Sequence, residues 1–298
     1  MKTLGHEKNL AKFFELIDQG KLPQTMLFHG LHGIGKKKCT LDFVQRLLKC
    51  DEALINQNTH PDLFLITPSP PKSQQTKKTQ TEPIVVKPNW TIKVEQVQAL
   101  RQKLIHYPLM ADHQIIIIDD AEKMTITTAN SLLKILEEPR PQQIFILITS
   151  QLHQVLATIR SRCAKFYFSS LKSEDVTTIL QEVADPKTLP ESQTLAFLSR
   201  AFHGSVAGTL KALNTNFDWS QLPHFMKARG NFLAASPLCK TLASSDVDLH
   251  IFLQCLKQFC LEQPDIQNSM VFIDRIKAAE INLSRHIQKE FVLENLFL

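Results

Sequence analysis

The stretch Gly30-Leu31-His32-Gly33-Ile34-Gly35-Lys36 limits what this chain can fold into more than any other. The sequence has 298 residues and only 8 glycines, and three of them stand here. Glycine enters φ > 0 at little cost and lets a ligand approach the main chain, so a cluster in a glycine-poor chain marks backbone that bends sharply or receives something. Ahead of it, Met26-Leu27-Phe28-His29 reads as a short apolar strand; behind it, Leu41, Val44, Leu47 and Leu48 recur at helical spacing. Strand, glycine loop and helix form the context in which G-x-x-x-x-G-K becomes a phosphate-binding loop. Successive amides point into one concavity, the helix presents its positive end, and the lysine reaches terminal phosphates. Gly30, Gly33, Gly35 and Lys36 are therefore candidate binding residues for a nucleotide, ATP or ADP. A tight strand-to-helix turn without a ligand is the other reading of the same residues.

The position after the loop lysine normally carries Ser or Thr, whose hydroxyl ligates Mg²⁺. Here it is Lys37, and an ammonium has three donors and no acceptor. Lysine adds charge near phosphates but holds the metal badly, which argues against hydrolysis at this site. Asp119-Asp120 follows the run Ile115-Ile116-Ile117-Ile118, where an acid coordinates the metal's waters and a second one polarises the attacking water. Asp120 is one methylene shorter than the usual Glu, and a displacement of about 1 Å costs on the order of a hundredfold in rate. Helix capping is the alternative role for this Asp pair. Thr149, at the tip of Ile144-Phe145-Ile146-Leu147-Ile148, sits where a polar residue senses a γ-phosphate, or is simply structural.

Strands and helices alternate through the first half. Asp62-Leu63-Phe64-Leu65-Ile66 reads as a strand, and a helix from about Lys93 carries Val94, Val97, Leu100, Leu104 and Ile105. The isoleucine run 115–118 is β-branched and apolar on both faces, as in a buried parallel sheet. A helix over 129–138 ends at Pro139, and 144–149 and 166–168 are further strands. Such alternation implies an open α/β sheet covered on both faces. Residues 67–91 shift to Pro, Ser, Thr, Gln and Lys and read as a mobile surface insertion. Past Ser169 only helical stripes recur: Val176, Ile179, Leu180 and Val183; Leu195, Phe197, Leu198 and Phe202; Phe272, Ile273, Ile276 and Ile281.

Composition excludes the remaining classes. With 43% hydrophobic and 21% charged residues the chain is ordinarily globular, and its longest apolar runs are far short of a membrane span. The N-terminus lacks the apolar core of a signal peptide, so a cytoplasmic location is expected. The six cysteines form no C-x-x-C pair, and Cys50 with His60 falls short of the four ligands of structural zinc; no metal site is expected. A net charge of +5 permits contact with nucleic acid without requiring it.

One ordered set of motifs is more specific. Gly30 through Lys36, His60-Pro61-Asp62, the stretch 115–122, Ala129-Asn130-Ser131-Leu132-Leu133-Lys134-Ile135-Leu136-Glu137-Glu138-Pro139 and Ser161-Arg162-Cys163 together resemble the bacterial DNA polymerase III clamp-loader subunits of the AAA+ superfamily, the delta-prime type most. The resemblance runs through most of the chain and is loose in the last third, around Asn282, Arg285, Glu290 and Leu293. It implies an α/β AAA+ domain over 1–168, a small helical lid over 169–212 and an all-α collar over 213–298. It also implies a place in a hetero-oligomeric ring with gamma/tau and delta subunits that loads the β sliding clamp on primed DNA, which this subunit would touch weakly or indirectly, with no membrane. By the same resemblance Arg162 is an arginine finger aimed at a neighbour's ATP, and the subunit is a rigid stator with little or no hydrolysis of its own. Two departures matter. Only Cys50 remains of the family's four-cysteine zinc module, and Gly204-Ser205-Val206-Ala207-Gly208-Thr209-Leu210, where motor subunits place a sensor arginine, contains none. An ATP-hydrolysing gamma/tau-type motor of the same loader is the alternative, and an unrelated phosphate-loop kinase or NTPase a remote one.

Overall fold

A computed structural model describes residues 3–70, 89–184, 189–215, 217–227, 232–244, 247–263, 266–285 and 287–297. Most of the expected insertion at 67–91 lies outside the described residues. The chain divides into two compact units, Met1–Ser170 and Leu171–Leu298.

The first unit contains α1 (Glu7–Asp18), β1 (Thr25–Gly30), α2 (Lys36–Leu48), α3 (Glu52–Asn56), β2 (Leu63–Ile66), α4 (Val94–Lys103), β3 (Gln114–Ile118), α5 (Ile126–Glu137), β4 (Gln143–Thr149), α6 (Ala157–Arg160) and β5 (Ala164–Phe168). The strands form one all-parallel sheet in the order β2-β3-β4-β1-β5. β3 and β4 are buried along their whole lengths, which explains their unbroken apolar sequence: a strand covered on both faces has no polar side to present. One face packs on Val97, Leu100, Ala129, Leu132 and Leu136 from α4 and α5. Elsewhere in this unit, Phe13 of α1 is fully buried against the rings of Phe28, Phe43, Phe166 and Phe168.

α1 has no counterpart in the sequence reading. Its N-cap, His6, makes no side-chain cap, so the usual start signal is missing, and Phe13 is its single fully buried anchor. Ile105, expected on the stripe of α4, is instead exposed, because the helix ends at Lys103. Beyond it the chain is held by Asp62. This buried carboxylate accepts the backbone N–H groups of Leu109, Met110 and Ala111 at 2.7, 2.8 and 2.9 Å. His60 completes the His-Pro-Asp motif by accepting the Asp62 N–H at Nδ1, 3.1 Å.

The second unit is wholly helical in its described residues: α7 (Ser173–Val183), α8 (Ser192–Ala201), α9 (Val206–Leu213), α10 (Leu222–Lys227), α11 (Phe232–Ser244), α12 (Leu249–Leu261), α13 (Ile266–Ser284) and α14 (Lys289–Phe297). One apolar cluster runs from Leu198 to Phe297, so α8 shares a core with the helices expected to form the collar. Arg200 and Glu262 join α8 to the end of α12 through 2.7 and 3.3 Å hydrogen bonds. Ile281, expected on the buried stripe of α13, is exposed, because five residues beyond Ile276 is about 140° around the helix; Ala279 takes the inward place. The α/β sheet followed by an all-α region is the architecture expected of the AAA+ resemblance. Among the described residues no helix is long and apolar enough to cross a membrane.

Candidate functional site

In a parallel sheet the strand ends that face one way share one edge, and that edge collects Gly30, Asp119 and Thr149. β1 delivers Gly30, β3 ends immediately before Asp119, and β4 places Thr149 beside His29 of β1. A Cβ at Gly30 would lie 2.3 Å from the Phe168 carbonyl oxygen of β5, so this position accepts only glycine without moving the strand. Gly33 and Gly35 take positive φ, 76° and 90°. Gly35 is the N-cap of α2 and offers no side-chain cap, leaving the first-turn amides of the helix open towards the loop. Lys36 is buried, and its Nζ donates to the carbonyl oxygens of Gly30 and Leu31 at 2.9 and 2.5 Å. Burial lowers its pKa to about 8, opposed by the charges of Glu122, Asp119 and Asp120. These residues fit a phosphate-bearing ligand: a turn built on glycines of positive φ, the N-terminus of α2 and a buried cation.

They do not fit the magnesium ion that such a loop usually shares with its nucleotide. Lys37 stands at the hydroxyl position, and its Nζ lies 3.0 Å from Asp119 Oδ2. The other Asp119 oxygen accepts the N–H of Asp120 at 3.1 Å. The acid that should face the metal is thus engaged at both oxygens, one of them by a cation.

Glu122 is a site residue that strand-end reading passed over. It lies in the short turn Ala121–Lys123, and its carboxylate accepts from Thr149 Oγ1 (2.7 Å), Ser150 N (3.1 Å) and Ser150 Oγ (2.6 Å). Burial acts to raise its pKa, but the hydrogen bonds from Ser150 and Thr149 prevail and hold it below the usual carboxylate range. Thr149 is fully buried and its hydroxyl is committed to Glu122. The available signal was spacing: an acid three residues past Asp119, beside the tip of the next strand.

Asp120 adopts φ 50°, the left-handed region. Burial, then the neighbouring charges of Asp119 and Glu122, raise its pKa. A raised carboxylate costs stability above its folded pKa and nothing below the ordinary range. Asp120→Asn is therefore expected to raise Tm at neutral pH by roughly 2 °C, since asparagine also tolerates this backbone well. The gain should fade as pH falls into the ordinary carboxylate range. Thermal melts of both proteins between acid and neutral pH measure it, and an unchanged or lower Tm at neutral pH would contradict it.

Arg162 lies at the other edge of the sheet. Its carbonyl oxygen accepts from Thr25 Oγ1 at 2.6 Å, at the start of β1, and five residue steps separate Thr25 from Gly30. At about 3.3 Å per residue that is roughly 17 Å of strand between the Arg162 backbone and the loop. The side chain is 36% exposed, and its guanidinium donates to Thr158 O at 2.9 Å and to Glu137 Oε1 at 2.7 Å. Glu137, at the end of α5, is a second residue that sequence reading quoted without assigning it a role.

In the second unit, Gly204 takes φ 75° where a Cβ would lie 2.2 Å from Leu171 O, and Ser205 caps α9 by accepting the Gly208 N–H at 3.0 Å. This glycine and serine thus have local backbone duties. The six cysteines are free, and burial raises the thiols of Cys39 and Cys163 to about 12 and 11. Among the described residues no group of three or more His, Cys, Asp or Glu side chains is placed to hold a metal ion.

Residues 5–172 match the protein family described as DNA polymerase III, delta subunit. Among curated proteins, the chain is 30% identical over 128 residues to DNA polymerase III subunit tau of Bacillus subtilis, covering 43% of this chain and 23% of that protein. It is 29% identical over 180 residues to subunit delta' of the same organism, covering 57% and 49%. It is 28% identical over 192 residues to subunit delta' of Escherichia coli, covering 64% and 47%. The chain spans about half the length, or less, of these relatives. With the parallel sheet, the glycine loop and more than half the chain inside the family match, the protein belongs to the DNA polymerase III delta subunit family, among the AAA+ clamp-loader proteins.

Proposed function

We propose that this chain is a delta-prime-type stator of the DNA polymerase III clamp loader. It assembles with gamma/tau and delta subunits, helps place the β sliding clamp on primed DNA, and offers Arg162 to the ATP of a neighbouring subunit. The observation that carries this reading is the position of Arg162, at the sheet edge opposite its own phosphate loop and with its guanidinium already oriented by Glu137 and Thr158. An arginine so placed is far from its own loop, which supports a role toward another chain's nucleotide. A guanidinium offered in trans stabilises the charge of the transferring phosphoryl group. The Lys37–Asp119 ion pair supports the complementary half, in which the chain's own loop does not run a hydrolytic cycle.

The reading is tested by ATP turnover of the chain alone and of the chain mixed with gamma/tau and delta subunits. The chain alone is expected to show no turnover above background, and its addition to raise turnover by the others. Fast hydrolysis by the isolated chain would instead identify a gamma/tau-type motor, and a mixture that is indifferent to the chain would remove the stator role.

A further inference from the structure

We propose that the exposed apolar loop between α4 and β3 is the docking anchor by which this chain holds the subunit whose ATP Arg162 serves, seating in an apolar recess of that subunit. The inference rests on the reading above and assigns the contact that keeps the two chains together. Ile105, Tyr107, Leu109 and Met110 are 55 to 77% exposed, four large apolar side chains within six positions. Apolar residues scattered singly over a surface need no explanation, whereas a contiguous group marks a protein-contact surface. Tyrosine and methionine are also among the residue types enriched in interfaces. The loop is fixed at both ends by side chains from other segments. Buried Asp62 accepts the amides of Leu109, Met110 and Ala111. Buried Gln143 donates its side-chain amide to Leu104 O at 3.0 Å, and Arg140 Nη1 donates to Ile105 O at 2.7 Å. A segment held in this way has already given up the freedom that a loose loop loses on binding.

The place of the loop in the sheet selects its occupant. The loop precedes β3 and Arg162 precedes β5, so both lie at the edge where the strands begin. In the order β3-β4-β1-β5 three strand spacings separate them, roughly 14 Å at about 4.8 Å each. A stable interface covers about 800 Å² of each partner, a patch roughly 30 Å across, so one partner spans both features. They are also mechanically tied. The Gln24 side-chain amide donates to Arg140 O at 2.7 Å, the adjacent Thr25 hydroxyl donates to Arg162 O at 2.6 Å, and Arg140 in turn grips Ile105 O. A chain that serves a neighbour's ATP needs that neighbour in fixed register, since a misplacement of about 1 Å costs on the order of a hundredfold in rate. Arg162 supplies the charge for that task, and the apolar loop supplies the buried contact that holds the register.

The test titrates the fluorescently labelled full chain with gamma/tau and delta subunits in the absence of clamp, reading anisotropy for binding and ATP turnover in the same samples. Leu109→Ser with Met110→Ser removes two anchors without adding charge beside Asp62. This double variant is expected to raise the half-saturating concentration at least about tenfold, while turnover at saturation stays within about twofold of wild type. Arg162→Ala is expected to do the reverse, leaving half-saturation unchanged and removing turnover. Equal melting of the double variant and wild type verifies folding. Tyr107→Ser, outside the Asp62 contacts, carries the same expectation at a severalfold shift should the double variant melt early. Unchanged half-saturation in the loop variants, or turnover lost at saturation without a shift, would overturn the proposal. So would normal binding by the variants with a defect that emerges only when β clamp is added, which would assign the loop to the clamp. A wild-type chain that binds its neighbours without raising their turnover would overturn the stator reading instead, and the binding comparison would still decide the loop.

Discussion

Arg162→Ala is expected to lower ATP turnover at the neighbouring site of the reconstituted loader by about a thousandfold, the lower end of what a trans guanidinium contributes to phosphoryl transfer. Assembly should survive, because the side chain's partners in this chain are an exposed glutamate and one carbonyl oxygen. An exposed ion pair of this kind is worth at most about 1 kcal/mol, so folding does not depend on it. Arg162→Lys should recover little, since a point ammonium on a flexible stem cannot reproduce a planar fork held at 2.7 and 2.9 Å. Glu137→Gln keeps an acceptor and loses the charge, and a reduction of less than about tenfold is expected from looser positioning. Single-turnover hydrolysis at the site next to this chain, with complex formation followed by gel filtration, separates these effects. Unchanged hydrolysis in an intact complex carrying Arg162→Ala would end the finger assignment.

Phe13→Ala is expected to destabilise the first unit by about 4 kcal/mol, the usual range for emptying a fully buried aromatic site. Phe13 is completely buried, lying parallel to Phe28 at 4.9 Å and meeting Phe43 and Phe166 at 5.0 Å. Its loss opens a cavity among rings supplied by β1, α2 and β5, none of which collapses easily because each ring is fixed by a strand or helix. For a unit of this size the change lowers Tm by about 10 °C. In urea the midpoint should fall with the slope unchanged, as for a loss of stability without a change in exposed surface. A loss below about 1 kcal/mol would mean that α1 is an accessory to the sheet and not part of its core.

The isoleucines of β3 show what kind of structure is legible in a linear sequence. Four successive β-branched residues can satisfy their side chains only where both faces are covered, so strand, burial and parallel neighbours follow together. The loop was legible for a similar reason: glycines at 33 and 35 are required by local backbone angles, and the lysine follows at fixed distance along a helix. α1 was not legible, because its single fully buried anchor, Phe13, matters through rings from positions 28, 43, 166 and 168, and no cap announces the helix. Glu137, and Glu122 apart from its spacing to Asp119, took no role from the sequence for the same reason. Their partners, Thr149 with Ser150 and Arg162, come from other segments of the chain.

Residue type at position 37 alone established that a magnesium hydroxyl ligand is missing, since no fold turns an ammonium into an acceptor. Whether the lysine then points to solvent or neutralises Asp119 depends on bringing α2 and the end of β3 to one edge, and only the strand order β2-β3-β4-β1-β5 does that. Likewise the Ser-Arg-Cys triplet identified Arg162 as a candidate, but its distance from its own loop is set by the register of β5 on β1, which carries the arginine to the opposite end of the sheet. Local chemistry belongs to the sequence because it is fixed by covalent spacing; the direction in which that chemistry acts is decided by long-range pairing, which covalent spacing does not encode.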